Sequence, residues 1–240
     1  MRHLVRLGML LTLAALLALV LVPVGWRAGV WHHSISLRLM RWVAYLAMAG
    51  ALVSLLGLFG WGRLPRRSRL AGIAAIMLAA ILFAMPMRYS LAAISIHDIS
   101  TDTNNPPRFE AVMPARLASH AASAEYAGAS LAATQHAAYP EIAPLILALP
   151  PAEAFPRALA TARAMPRWTI VAEEREAGRI EATARTLWMG FADDVVIRIT
   201  AAGSGSRVDM RSLSRVGRGD FGTNAARIRA YLAALRAAAG

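Results

Sequence analysis

Arginine and carboxylate are the only strong chemical handles that this sequence offers. All 26 of its basic Lys or Arg side chains are arginine, and it has no cysteine. Lysine Schiff bases, lysine nucleophiles, the phosphate-loop lysine, thiolate metal sites and disulfides are therefore excluded. The densest group of polar side chains is Arg211, Ser212, Ser214, Arg215, Arg218, Asp220 and Asn224, with Gly217, Gly219 and Gly222 between them. Glycines permit close backbone approach, and a helix N-terminus flanked by arginines suits an anion. Arg198 and Asp209 belong with this group if the strands before it pair. A capped turn with internal Arg–Asp pairs uses the same residues without a ligand. Glu181, Asp193, Asp194 and Asp209 could form general acid–base pairs, although Asp193-Asp194 also suits a turn held by side-chain-to-backbone bonds. Ser212 and Ser214 have no histidine nearby in sequence and no nucleophile-elbow pattern. No metal-ligand spacing occurs, and the adjacent His32 and His33 read as solvated loop residues, so neither metal nor cofactor is expected.

Those residues stand on a near-neutral stretch that begins late in the chain. The first acidic residue is Asp98; 10 arginines precede it, and from Asp98 onward there are 16 arginines and 14 acids. The formal net charge of +12 thus belongs mostly to the first part. That placement argues against a nucleic-acid partner, which needs its basic surface on the folded domain.

The first part, residues 1–89, is apolar blocks joined by short arginine-bearing segments. The blocks run 7–24, 42–61 and 70–87, each long enough to cross a hydrocarbon core, and none carries a polar stripe. Trp26, Trp31, Trp42, Trp61 and Tyr89 lie near block ends, where aromatic rings favour the interface. The expected architecture is three transmembrane helices in a lipid bilayer. No small-x-small cleavage site follows the first block, so it reads as an uncleaved anchor. Gly50, Ser54 and Gly57 share a face and invite close helix packing. With the N-terminus inside, 6 arginines fall on the cytoplasmic side and 4 outside. Three spans then place the rest of the chain in the periplasm of a bacterium, with the anchor in its inner membrane.

The second part reads as α+β. Residues 90–150 form an irregular connecting region with a short strand at 94–99 and a short helix near 130–138. Residues 151–240 read α-β-β-β-β-α: helix 151–165, strands 168–174, 179–186, 194–200 and 207–214, and helix 224–237 capped by Thr223. Short turns between the strands imply an antiparallel four-stranded meander. Ile170, Ile180, Ala182, Val195, Ile197, Val208 and Met210 fall on one face, which the two helices cover. Glu181, Thr183, Arg185, Arg198, Asp209 and Arg211 fall on the other, as either a solvated face or a polar ligand platform.

The runs Arg179–Thr186, Gly190–Arg198, Arg207–Gly217 and Asp220–Ile228, with Asp98–Thr103 before Pro106-Pro107, resemble the uncharacterised family known as domain of unknown function 1499. The resemblance covers about residues 95–236. It implies a bacterial, often membrane-anchored protein and brings no established activity. Some members carry a cysteine motif near the domain start, which this chain lacks.

Three functions compete on these observations. The leading one is a non-enzymatic inner-membrane protein whose outer domain binds a protein partner, an anionic ligand or a lipid headgroup, through Arg198, Asp209, Arg211, Ser212, Ser214, Arg215, Arg218 and Asn224. The second is a hydrolase or transferase using Glu181, Asp193, Asp194 or Asp209. The third is a structural subunit of a membrane assembly.

Overall fold

The computed structural model describes residues 1–92 and 95–240, with side chains described for all of these but 83–92. The chain divides into two compact units, Met1–Ala92 and Ala93–Gly240.

The first unit holds α1 (Arg2–Arg27), α2 (His33–Leu58) and α3 (Arg66–Ala92), with one 3-10 turn at Trp61–Arg63. Each helix starts before the apolar block read from the sequence, because arginines ahead of the block continue the helix; α2 stops at Leu58, short of the end of its block at Trp61. His32 starts α2 by accepting the Ser34 N–H on Nδ1. Among the described residues, α1 and α2 are long and apolar enough to cross a membrane. Three spans were expected. The block at 70–87 lies within α3, but part of it falls outside the described side chains, so two candidate spans stand.

Small residues let α1 and α2 approach. A Cβ on Gly8 would come within 2.6 Å of the Gly50 carbonyl, and one on Gly50 within 2.9 Å of the Gly8 carbonyl. Thr12, Ser54 and Gly57 are buried in the same seam, and the Thr12 hydroxyl donates to the Gly8 carbonyl at 3.0 Å. Close backbone approach of this kind is how helices associate where lipid removes the hydrophobic drive.

The second unit is a six-stranded antiparallel sheet whose apolar face is covered by two long helices. Its strands are β1 (Asp98–Ser100), β2 (Leu145–Leu147), β3 (Trp168–Glu174), β4 (Arg179–Arg185), β5 (Ala192–Ala202) and β6 (Gly205–Ser214). The order is β1-β6-β5-β4-β3, and β2 shares the outer edge of β6 with β1. The four-stranded meander expected from the sequence is therefore enlarged by two short strands from residues 90–150. β1 pairs with Arg211–Leu213 and β2 with Ser206–Val208. The expected strand at 94–99 becomes β1, shifted later; Ile94 lies outside the described residues.

Helices α4 (Met113–Ala118) and α5 (Ala129–Ala138) precede β2, α6 (Pro151–Ala164) follows it, and α7 (Thr223–Ala239) ends the chain. Pro151 sits in the first turn of α6, where its missing N–H is harmless, and Pro156 is accommodated inside. The apolar sheet face and the stripes of α6 and α7 make one core with Ile180, Ile197, Val208, Met210, Phe155, Ile228 and Leu235. Tyr231 is fully buried there. Its ring stacks on Trp168 at 5.6 Å, and its hydroxyl donates to the Ala158 carbonyl at 3.0 Å.

Gly8→Val forces the α1–α2 seam apart, at a cost of about 1–3 kcal/mol by overpacking. Gly62→Val, where an added Cβ meets nothing within 4 Å, serves as the control. Thermal unfolding of the detergent-solubilised chain should drop by several degrees for the first and stay put for the second.

Candidate functional site: the covered polar sheet face

Period two places Glu181, Thr183, Asp194, Arg198, Asp209 and Arg211 on the sheet face opposite the helices. That face is not open. Residues 101–126 run across it and bury it, so it is neither the solvated surface nor the open platform that the alternation alone suggested. The burial is extreme for charged groups: Glu181, Asp194 and Asp209 are fully buried and Arg116 and Arg211 are 2% exposed.

Each buried charge has a partner, as desolvation requires. Glu181 accepts three successive backbone N–H groups, from Glu110 (2.9 Å), Ala111 (3.1 Å) and Val112 (3.0 Å). Asp194 is held from both sides. Arg116 donates to Oδ2 at 2.8 Å, Arg215 closes a two-bond fork at 2.8 and 2.7 Å, and Thr183 adds a bond at 2.9 Å. Asp209 takes Arg198 at 2.9 Å and Arg207 at 3.0 Å. Asp102, from the covering segment, bridges the same two arginines at 3.0 and 2.9 Å. Arg211 forms a fork with Asp98 at 2.8 and 2.7 Å and also donates to the Ala124 carbonyl at 2.8 Å. Its guanidinium lies over Phe109 and Tyr126, 5.0 and 5.4 Å from the ring centres. Burial, reinforced by the Asp98 charge and opposed by Arg211, pushes the Tyr126 hydroxyl up to about 12. Phe109, Val112, Val196 and Leu213 form a small apolar cluster amid these pairs.

The passage from β6 to α7 forms a second network on the helix side of the sheet. Ser212 donates to Asn224 Oδ1 at 2.7 Å, and Asn224 Nδ2 donates to Ser214 Oγ and to the His97 carbonyl, both at 2.9 Å. Arg227 pairs with Asp193 at 2.5 Å. The expected Thr223 cap is replaced. Asp220 accepts the N–H groups of Gly222 (2.8 Å) and Asn224 (2.7 Å), while Gly222 takes a left-handed conformation before α7. Burial holds the Asp220 carboxyl above its usual range; the two N–H bonds and Arg227 oppose this, and Asp193 adds to it.

The candidate ligand residues thus separate by what they already hold. Asp209, Arg211, Ser212, Ser214, Arg215 and Asn224 are bonded within the domain. Arg198 lines a cleft of about 210 Å³ with Asn105, Arg108, Glu110 and Arg179. It stands directly opposite Arg179 in the β4–β5 register. Each of the two is tied to carboxylates, Arg198 to Asp102 and Asp209, Arg179 to Glu110 and Glu174. Arg218 is exposed, and its side chain has no hydrogen-bonding partner among the described residues. The candidate acid–base residues Glu181, Asp193, Asp194 and Asp209 are each held by arginine or backbone N–H. Among the described residues no group of three or more His, Asp or Glu is placed to hold a metal.

The sequence reading missed Asp98, Asp102, Arg116, Arg207 and Arg227 as partners. A signal existed for two of the pairings. Asp98 and Asp102 are four residues apart, as are Arg207 and Arg211; antiparallel β1–β6 pairing sets Asp98 opposite Leu213 and Ser100 opposite Arg211, so Asp98 reaches Arg211 diagonally, two positions along β6, and Asp102, just past β1, reaches Arg207.

Fold and site together define an α+β domain, stapled internally by buried ion pairs, that follows a helical segment with two candidate membrane spans. The chain belongs to the family described as Protein of unknown function (DUF1499), which matches residues 98–235. No curated protein matches it. Among solved structures, the crystal structure of TTHA0849 from Thermus thermophilus is 13% identical, with 40% of this chain and 90% of that one covered. The TM-score is 0.22, too low to transfer anything to this chain.

Asp194→Ala leaves Arg116 buried without its carboxylate and should cost about 3–5 kcal/mol in urea unfolding. Arg229→Ala removes an exposed pair with Glu141, 45% and 51% exposed, and should cost no more than about 1 kcal/mol.

The raised Asp220 carboxyl has the opposite pH signature to a salt-bridged acid. Its contribution is full below the ordinary value of 3.8 and is lost as pH rises through the higher folded value. The stability of the native chain relative to Asp220→Asn should therefore decline as pH rises through that acidic window, read from unfolding midpoints at each pH.

Proposed function

We propose that this chain is a membrane-anchored, non-catalytic binding protein whose C-terminal domain recognises an anionic group. One observation carries the reading: every candidate acid–base carboxylate is buried and spent on an internal partner, whereas exposed Arg218 is left available. General acid–base or nucleophilic chemistry needs a group that can reach substrate and change its protonation there. Glu181, with three backbone N–H groups on its oxygens, and Asp194, with two guanidiniums, are instead fixed as acceptors. An exposed guanidinium is suited to phosphate and carboxylate recognition.

The anchor belongs in a bacterial inner membrane, with the N-terminus cytoplasmic and the domain periplasmic. Arginine placement and a third span within α3 support that orientation. A topology reporter fused after Gly240 should be active in its periplasmic form, and a cytoplasmic signal would reverse the orientation. The binding reading is tested by native mass spectrometry of the full chain purified in mild detergent. A retained phospholipid or anionic metabolite is expected. Release of detergent alone would sink the reading, and a retained protein would favour the assembly-subunit role.

A further inference from the structure

One end of the sheet differs in character from the rest of the domain. β4 ends there at Arg185 opposite Ala192, and β6 ends at Ser214 opposite Asp193. The loop between β4 and β5 presents Leu187 (71% exposed) and Trp188 (47%), and the passage to α7 presents Phe221 (58%). These are large apolar groups on loops, where the core makes no demand for them. Phe221 moreover holds a left-handed backbone, φ 55°, which is costly for a bulky residue. Around them stand exposed Arg167, Arg185 and Arg218. Arg167 Nε donates to the Arg185 carbonyl at 3.2 Å, which places the two side by side. The carboxylates of these loops face inward: Asp193 and Asp220 are buried. At the other end of the sheet the β3–β4 hairpin exposes Glu173, Arg175 and Glu176, with Glu173 paired to Arg163. The domain therefore differs end to end, apolar and basic at one and of mixed charge at the other.

The chain also enters the domain at the apolar end. The His97 carbonyl accepts the Ser214 N–H at 3.0 Å, and the Ile96 carbonyl accepts that of Asp220 at 3.3 Å. In the sequence Ile96 comes nine positions after the last apolar block, 70–87.

We infer that this end, with Leu187, Trp188 and Phe221 set among Arg167, Arg185 and Arg218, docks on the surface of an anionic phospholipid bilayer. Tryptophan, phenylalanine and leucine partition into the headgroup–acyl boundary, and arginines beside them attract anionic headgroups. The inference rests on the binding reading above and gives it a surface and a lipid.

The absence of native cysteine allows single labelling sites. Leu187→Cys and, as the control, Ile146→Cys (62% exposed on β2) would each carry an environment-sensitive fluorophore on the full chain in phosphatidylcholine–phosphatidylglycerol vesicles. Brominated lipids should quench the Leu187 site at least several-fold more than the Ile146 site. The Leu187 quenching should fall when Arg167, Arg185 and Arg218 are all changed to Gln, or when phosphatidylglycerol is omitted. Equal, weak quenching at both sites would overturn the docking. If an anionic ligand still co-purified in that case, the binding reading would stand and this surface alone would be refuted.

Discussion

The desolvated guanidinium–carboxylate pair is the constraint on which the outer domain is built. A charge taken out of water costs several kcal/mol, and only a well-aligned partner offsets that. Asp194 and Arg211 each sit in such alignment with a partner from residues 98–126, Arg116 and Asp98, and Asp102 of the same segment shares the two arginines that hold Asp209. The covering segment is thus held by what the sheet would otherwise leave unpaired. A pair of this kind adds little over an apolar filling, but loss of either member is severe. Its main effect is to make one placement of the segment far better than its neighbours.

The absence of lysine fits this construction. A guanidinium can meet two oxygens of one carboxylate and still donate elsewhere. Arg211 does so, with a fork to Asp98, a bond to the Ala124 carbonyl and two aromatic rings beneath it. An ammonium has neither the plane for the rings nor the geometry for the fork.

The strands β3 to β6 and helices α6 and α7 were legible because their apolar residues keep the periods that bury one face. Ile180, Ala182, Val195, Ile197, Val208 and Met210 alternate as written and reach the core. The role of the polar face was not legible. Residues 101–126 are alanine- and proline-rich with no period, so nothing local marks them as a cover. β2 is three residues between prolines, too short for a pattern, and it exists because β6 offers it an edge. Thr223 stands where a cap is usually sought, but Asp220, a carboxylate before a glycine turn, holds the N–H groups of Gly222 and Asn224 instead. For the site, the sequence brought out Glu181, Asp194, Asp209 and Arg211 but not their partners in the covering segment, which lie far away along the chain.

That separation has a consequence for the order in which the chain becomes a folded object. β6 pairs with β1, β2 and β5, and it carries Asp209 and Arg211. It is also the last strand to be synthesised. Until it arrives, β1 and β2 have no neighbour, and Asp98 and Asp102 have no arginine on β6 to meet, so both short strands and the start of the cover wait, although residues 110–116 already have Glu181 on β4 and Asp194 on β5. Non-local contacts of this span are slow to form, because the loop entropy is lost before any bond is gained. A nascent chain of this protein consequently keeps both short strands unplaced until β6 has been made, and a truncation before Gly205 removes the keystone of the sheet rather than one strand of it.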